Sequence, residues 1–253
     1  PENPAKSKQE ENIMEPNTEK VDTTEFIKKC QEYLPSSQRA ITYAESRGLS
    51  ISDLQEMGWG ADPDRYDSIV ITKDNGSYEE LSVTAIGVKH YKPKGIPDEL
   101  MWSEELYNTE GKEVFVVEGP MDAASIRKVG YKAVSLCKIT HFPKLIKLLK
   151  DKRTSNPLII AMDNDESGRE AVKEYTPKLS ELGVKFIVLD VWGECKDANE
   201  LFVKDPEVFS ENLFKASFDT INFFDEKKQE YINQYSAKSI VKRLLENIAE
   251  GKY

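Results

Sequence analysis

The stretch LIIAMDNDESGREA, residues 158–171, decides the predicted fold of this chain. It starts with a short apolar run, passes through the acidic turn Asp163-Asn164-Asp165, and continues with small and apolar residues at helical spacing. A buried strand that leads through a polar turn into a helix is the repeating unit of parallel sheets flanked by helices. Gly168, at the start of the helix, allows a close approach between helix and turn.

The same alternation extends to both sides of this stretch. Strands are predicted at Glu113–Glu118, Ala133–Leu136, Leu158–Met162 and Lys185–Asp190, with helices at about 121–129, 142–150, 166–182 and 198–203. Four strand–helix units in series predict a parallel α/β sheet with helices packed against it. We assign this domain to residues 112–205.

A smaller α+β subdomain is predicted upstream, over residues 23–111. Helical spacing and capping residues indicate helices at about 23–34, 36–48 and 50–58. Ser68–Lys73 and Glu80–Tyr91 are each predicted as one strand, with a turn at Asp74-Asn75-Gly76 between them.

The two ends of the chain have different compositions. Residues 1–22 are polar, and we predict a disordered arm or linker there. Residues 206–253 are predicted to form a C-terminal helical segment, whose last amphipathic helix would begin at Ser236 or Ser239. These helices could either dock a partner or complete the core. The chain starts with Pro1, so we expect it to be part of a longer protein.

Composition narrows the class of protein. Of 253 residues, 39% are hydrophobic and 32% charged, which is typical of a soluble globular protein. No apolar run is long enough to span a membrane, so no membrane partner is expected. Three scattered cysteines and two histidines predict neither a disulfide framework nor a zinc site within this chain, and they suit a cytoplasmic protein. The net charge of −10 argues against a surface that grips nucleic acid everywhere, but it allows a local basic groove.

Acidic residues follow three of the predicted strands. Glu118 and Asp122 follow the first strand, Asp163 and Asp165 the third, and Asp197 the fourth. Ligands of parallel sheets collect beyond the carboxyl ends of the strands, so these carboxylates are expected at one edge. Taken singly, each segment could also be an ordinary turn or helix cap. Their order and spacing together predict a Mg²⁺ site, since Mg²⁺ prefers carboxylate oxygens and substrate phosphates.

The segments EGPMD (118–122), AMDNDESGREA (161–171) and KDANE (196–200) closely resemble the TOPRIM domain of primases, topoisomerases and some nucleases. Their forms look most like DnaG-type primases and phage primase-helicases. The resemblance implies acid/base or metal work for Glu118 and metal binding for Asp163 and Asp165. It also implies that Asp122 is the second acid of the first motif and Asp197 the acid after strand four. Many relatives have a further aspartate where this chain has Asn199, which leaves a metal role there in doubt.

A looser resemblance extends upstream, so that roughly residues 40 to 205 are covered. Residues 40–60 look like the helical entry to the N-terminal subdomain of a primase core. A basic segment, Lys89–Lys94, resembles the one that binds template and nucleotide in those enzymes. The residues expected to bind nucleic acid or nucleotide are Lys89, His90, Lys92 and Lys94. The alternative for this segment is a strand edge that is protected by solvated lysines.

These observations predict the catalytic core of a DNA primase. The expected activity is template-directed synthesis of RNA primers on single-stranded DNA from ribonucleoside triphosphates, with Mg²⁺ or Mn²⁺ held by Glu118, Asp163 and Asp165. A replicative helicase, fused or separate, is the expected protein partner, and a phage or mobile element the expected source. The alternatives are a TOPRIM-type nuclease, in which the same carboxylates would activate water, and a non-catalytic scaffold that binds DNA or a helicase. The chain is too short for the strand-passage machinery of a topoisomerase.

Overall fold

A computed structural model describes residues 22–65, 68–84, 87–91, 94–107 and 112–224 of the chain. The helices are α1 (Thr24–Tyr33), α2 (Gln38–Ser46), α3 (Ile51–Glu56), α4 (Pro120–Lys128), α5 (Phe142–Asp151), α6 (Glu166–Glu181), α7 (Ala198–Lys204) and α8 (Pro206–Phe224). The strands are β1 (Ser68–Thr72), β2 (Tyr78–Thr84), β3 (Gly87–Tyr91), β4 (Val114–Val117), β5 (Ala133–Ser135), β6 (Leu158–Ile160) and β7 (Phe186–Val188). None of the helices in these ranges is both long and apolar enough to span a membrane. The arm predicted at 1–22 and the last predicted helix lie outside the described residues, except for Asp22.

The three predicted N-terminal helices are confirmed, and their caps explain where two of them begin. The hydroxyl of Ser37 accepts a hydrogen bond from the backbone of Ala40 at the start of α2. Ser50 and Asp53 form a reciprocal capping box at the start of α3. Each of these side chains satisfies a backbone N–H group that has no partner within its helix.

The first sheet is antiparallel, with the order β1-β2-β3. The turn predicted between its first two strands is present, and Asn75 takes a left-handed backbone conformation there with φ 58°. The prediction of one strand over Glu80–Tyr91 was wrong: the segment belongs to two strands that pair with each other as a hairpin. Cross-strand pairing such as Leu81 with His90 gives the backbone hydrogen-bond partners that one long strand would lack.

The second sheet is parallel, as the alternation of strands and helices predicted. Its strand order is β5-β4-β6-β7. Its central strands are buried on both faces, because successive side chains point to opposite sides. Phe115, Val117 and Ile159 pack with α4, α7 and α8 on one face. Val116 and Ile160 pack with α5 and α6 on the other. This arrangement is a sheet covered by helices on both faces, the α/β fold that the sequence predicted.

Helix α8 is part of the same core. Its residues Phe209, Leu213 and Ala216 are buried in the cluster that contains Phe115 and Val117 of β4. Burial of large apolar side chains is the main stabilising contribution in such cores. This helix therefore completes the core, while the boundaries at 111/112 and 205/206 remain predictions.

The two sheets are joined by shared packing and by backbone bonds. Met101 and Ser135 exchange both of their backbone hydrogen bonds, which ties the connecting segment to the edge strand β5. Trp59 and Met101 lie in one buried cluster with Ala124 of α4. The N-terminal α+β subdomain is thereby held against the parallel sheet, and it also packs on α4.

Candidate metal-binding and catalytic site

The carboxyl ends of β4 and β6 lie side by side, because these two strands pair in parallel register. Glu118 follows the last residue of β4, and Asp163 lies three residues beyond the end of β6. The two carboxylates repel each other strongly enough that Asp163 contributes to raising the pKa of Glu118. The predicted meeting of the first and second acidic segments is therefore present in the fold.

Glu118 is a carboxyl group whose ionisation is strongly perturbed by its surroundings. Burial, together with repulsion by Asp163 and Asp165, raises the pKa of its carboxyl to about 7. Its Oε2 atom is buried and has no hydrogen-bond partner among the described residues. A buried carboxylate oxygen without a partner is costly unless a proton or a cation compensates it. Glu118 is thus prepared to bind a cation or to exchange a proton near neutral pH.

Asp122 has a different role, because both of its carboxylate oxygens are occupied by backbone groups. Oδ2 accepts from the N–H of Gly119 at 3.1 Å, and Oδ1 accepts from the N–H of Asn199 at 3.0 Å. The side chain is buried, and burial together with repulsion by Asp197 raises its pKa well above the ordinary value. Asp122 therefore joins the turn after β4 to the start of α7 and holds these two segments in place.

The acidic turn after β6 depends on Asp165 and Gly168. Asp165 caps α6, and its Oδ1 accepts from the N–H of Gly168 at 2.9 Å, which is the leading cause of its lowered pKa. A Cβ atom at Gly168 would lie 2.2 Å from the carbonyl oxygen of Asp163. Only glycine fits there, so the close approach expected from the sequence is present. Burial raises the pKa of Asp163, although the neighbouring ammonium of Lys196 opposes this effect.

Lys196 completes the charge distribution of the site. Its Nζ lies 3.3 Å from Oδ2 of Asp163 and 3.5 Å from Oδ2 of Asp165. Both carboxylates raise the pKa of the lysine, the larger effect being the hydrogen bond to Asp163. The sequence analysis missed this residue. Its position in the third acidic segment was visible, but only the fold shows that its ammonium group reaches the second segment.

Asn164 is a second residue that the sequence analysis missed. Its backbone N–H donates to the carbonyl of Lys196 at 2.7 Å. Its side-chain amide donates to the carbonyls of Gly193 and Cys195, each at 2.9 Å. These three hydrogen bonds fasten the acidic turn to the loop after β7, so the second and third acidic segments behave as one unit.

Asp197 and Asn199 hold the start of α7. Asp197 caps this helix, and its Oδ1 accepts from the N–H of Glu200 at 2.8 Å. The amide of Asn199 donates to the carbonyl of Arg47 and to the hydroxyl of Ser125, each at 2.9 Å. Asn199 is buried and committed to these partners, so it joins the two subdomains through α2 and α4.

The residues present suit a hard divalent cation. Among the described residues, no three Asp, Glu, His or Cys side chains are arranged as a closed metal cage. Mg²⁺ does not require one, since it keeps several waters and uses one or two carboxylates together with substrate phosphates. Such carboxylates are present here. Glu118 has a buried oxygen without a partner among the described residues, and Asp163 and Asp165 face the ammonium of Lys196.

The predicted basic segment is described only in part. Lys92 and the side chain of Lys89 lie outside the described residues. His90 is exposed, but its Nδ1 lies 3.4 Å from Oε1 of Glu79, so any positive charge there is partly balanced. Lys94 is exposed to solvent. Which of these four residues bind nucleic acid or nucleotide remains a prediction.

Next to this segment, Arg65 is a further residue that the sequence analysis missed. Its guanidinium carbon lies 3.9 Å from the ring centroid of Tyr91, which is 43% exposed. Arg65 also lies 3.4 Å from the buried Oε2 of Glu80. A cation stacked on an exposed aromatic ring is a common surface for nucleic-acid bases. The hairpin β2–β3 brings these residues together.

Three further residues, His141, Trp59 and Trp192, have structural surroundings. His141 is buried, and its ring nitrogens meet the carbonyl of Leu136 and a carboxylate oxygen of Asp98. Trp59 and Trp192 are fully buried. The indole N–H of Trp192 lies within hydrogen-bond reach of the carbonyls of Ala161 and Met162, which anchors the loop after β7 to the end of β6.

Comparison with known families agrees with this geometry. The family model for Toprim-like domains matches residues 115–202, the part of the chain that runs from the second residue of β4 through β7 and includes all five predicted acidic residues. Residues 115–202 therefore match a Toprim-like domain, in agreement with the parallel α/β sheet found there.

Particular relatives extend the comparison beyond this domain. The chain is similar to the Aquifex aeolicus primase, in a structure of its zinc-binding and RNA polymerase domains, with a TM-score of 0.54 and 17% identity over 85% of this chain and 68% of that one. It is also similar to the primase fragment of the bacteriophage T7 primase-helicase protein, with a TM-score of 0.46 and 20% identity over 68% of this chain and 71% of that one. At the sequence level, the uncharacterized protein MG010 of Mycoplasma genitalium is 24% identical over 176 residues, covering 65% of this chain and 80% of that protein.

Proposed function

We propose that this chain is the catalytic core of a DNA primase, which synthesises RNA primers on single-stranded DNA. The observation that carries the proposal is Glu118, whose buried Oε2 has no partner among the described residues and whose pKa is raised to about 7 by burial beside Asp163 and Asp165. A site of this kind gains by binding a divalent cation and releasing a proton. The Toprim-like domain and the primase-like fold support the assignment to primer synthesis.

Glu118, Asp163 and Asp165 would hold Mg²⁺, for which Mn²⁺ can substitute. When bound, the ion would supply charge neutralisation on a triphosphate and a lower pKa for the attacking 3′-hydroxyl. Asp122 and Asp197 are also part of the proposed metal site. Because their oxygens accept backbone hydrogen bonds, we propose that they mainly position the residues around the ion. Their task would be to keep the turn after β4 and the start of α7 at fixed places beside the reacting groups.

The protein's own groups would bind and orient the nucleic acid. The segment with Lys89, His90, Lys92 and Lys94 would hold single-stranded template or incoming ribonucleotide through its charges. Arg65 and Tyr91 would add a surface on which a base can stack. Since these contacts pair cations with phosphates, binding would weaken as salt increases. The net charge of −10 would confine such binding to this local patch.

The remaining parts of the proposal follow from the motif resemblance. A replicative helicase, fused or separate, would be the protein partner, and the protein would act in the cytoplasm of a cell or of a host infected by a phage or mobile element. The proposed units are an arm at 1–22, a subdomain at 23–111, the TOPRIM domain at 112–205 and a helical segment at 206–253.

A labelled-nucleotide incorporation assay tests this function. The 253-residue chain would be incubated with single-stranded DNA of mixed sequence, four ribonucleotides and Mg²⁺ or Mn²⁺, with Asp163→Ala and the exposed-site variant Lys173→Met as paired controls. We expect short labelled products from the unaltered chain and Lys173→Met, and at least a hundredfold loss in Asp163→Ala.

Other outcomes would overturn the primase assignment. Degradation of the template without synthesis, lost in Asp163→Ala, would establish a nuclease that uses the same carboxylates. Binding of DNA or helicase with neither synthesis nor degradation would establish a scaffold. Chelation of the divalent ion must abolish synthesis, because Glu118 and Asp163 would then hold no cation to neutralise the triphosphate.

A further inference from the structure

The backbone of Lys196 is held by hydrogen bonds, whereas its side chain is largely exposed to solvent. Its carbonyl accepts from the N–H of Asn164 at 2.7 Å, and its own N–H donates to Oε2 of Glu200 at 2.7 Å. Beyond the backbone, the side chain is 56% exposed and ends between Asp163 and Asp165. A lysine stem has four rotatable carbon links, so the ammonium group can move several ångströms while the loop stays in place.

The ammonium contacts two of the oxygens that the proposed cation requires. Its Nζ lies within 3.5 Å of Oδ2 of both Asp163 and Asp165. A divalent cation at these carboxylates and an ammonium group in contact with the same oxygens would repel each other. The pair with Asp165 is exposed at both ends and the pair with Asp163 at its lysine end, and such solvent-exposed ion pairs are weak, so a divalent cation can displace the ammonium.

We propose that Lys196 is an exchangeable counter-ion, which neutralises Asp163 and Asp165 without metal and contacts the phosphates of a nucleotide once a divalent cation is bound. This inference rests on the proposed function and deepens it by naming the residue that receives the triphosphate. Its backbone bond to Asn164 keeps the base of the side chain beside the acidic turn, so the displaced ammonium remains at the edge of the site. A polyphosphate bound to the cation would present its negative oxygens at that edge.

The first measurement is the affinity for Mn²⁺ alone. The free ion is quantified by its electron paramagnetic resonance signal during a titration. Lys196→Met removes the charge and keeps a stem of similar length. We expect it to bind Mn²⁺ about three- to tenfold more tightly than the unaltered chain, because a competing cation is gone. Lys173→Met is the matched control: it removes an equal charge from an exposed site on α6, about 12 Å along the helix from Asp165, and should change the affinity less than twofold.

The second measurement is the binding of inorganic tripolyphosphate at saturating Mn²⁺. Lys196→Met should weaken it about tenfold, whereas Lys196→Arg should keep it within about threefold, because a guanidinium also binds phosphate. Unchanged or weaker Mn²⁺ binding in Lys196→Met would overturn the exchange, and unchanged tripolyphosphate binding would overturn the phosphate contact.

These binding measurements are independent of primer synthesis. If the unaltered chain makes no primers but both shifts appear, Lys196 has the proposed role and the primase assignment fails. If primers are made and Lys196→Met alters neither affinity, the primase assignment holds and the counter-ion role fails.

Discussion

Asn199 and Arg47 are joined by two hydrogen bonds across 152 residues of sequence. Nη1 of Arg47 donates to Oδ1 of Asn199 at 3.2 Å, and Nδ2 of Asn199 donates to the carbonyl of Arg47 at 2.9 Å. The backbone N–H of Asn199 meanwhile donates to Oδ1 of Asp122. The position where the family resemblance suggested a metal ligand is therefore a junction between α2, α4 and α7.

Asn199→Ala is expected to lower the free energy of unfolding by about 1–3 kcal/mol, because buried polar groups at Arg47 and Ser125 lose a partner. In a double-mutant cycle with Arg47→Met, the two losses should add up to more than the loss in the double variant, with a coupling of about 0.5 kcal/mol or more. Denaturant unfolding followed by circular dichroism measures all four proteins. A tenfold loss of Mn²⁺ affinity in Asn199→Ala with unchanged stability would instead make Asn199 a metal ligand.

The adjacent residues Glu79 and Glu80 should respond to pH with opposite signs. Burial raises the pKa of Glu80, and the attraction of Arg65 does not offset it. Burial also acts on Glu79, but the nearby imidazole of His90 and the buried ammonium of Lys73 outweigh it, so its pKa is lowered. The two side chains point to opposite faces of β2, which explains the different surroundings.

The prediction compares Glu80→Gln with Glu79→Gln between pH 3.5 and 7.5. A raised folded-state pKa means that Glu80 contributes stability that is complete below about pH 4.5 and is lost as pH rises, so Glu80→Gln should be more stable than the unaltered chain at pH 7. A lowered folded-state pKa means that Glu79 contributes stability above about pH 4.5 that is lost as pH falls. Glu79→Gln should therefore be less stable at pH 7, by roughly 2–3 kcal/mol, and its deficit should shrink in acid. Equal signs for the two variants at pH 7 would contradict this account.

Gly168→Ala should destabilise the protein, although alanine is usually the better residue in a helix by up to about 1 kcal/mol. The added Cβ would meet the carbonyl oxygen of Asp163 at 2.2 Å, and that backbone belongs to the acidic turn. We expect a loss of about 1–3 kcal/mol in the free energy of unfolding and weaker Mn²⁺ binding, because Asp163 must move. The exposed neighbour Ser167→Ala serves as the control and should be nearly neutral in both measurements. A stabilised Gly168→Ala that binds Mn²⁺ normally would show that the turn does not need the close approach.

The sequence by itself determined the parallel sheet and the residues at its carboxyl edge. Strand and helix periods are local properties, and the direction of parallel strands then places Glu118 and Asp163 at one edge whatever the details of packing. The sequence was less informative about Glu80–Tyr91, which it predicted as one strand. Ala85-Ile86, between the two strands, is not one of the Asn-Gly or Asp-Gly pairs that mark a two-residue turn, so only the cross-strand pairing showed that two strands are present.

Only the tertiary structure decided what the side chains at that edge do. Asp122 and Glu118 follow the same strand, yet Asp122 binds two backbone N–H groups from separate elements, while a buried oxygen of Glu118 has no partner in the described part of the chain. Lys196 meets Asp163 and Asp165 only because Asn164 fastens one loop to the other. Burial, hydrogen bonding and charge at a site depend on groups that are distant in the chain, and these decide which carboxylate is held in place and which can accept a cation.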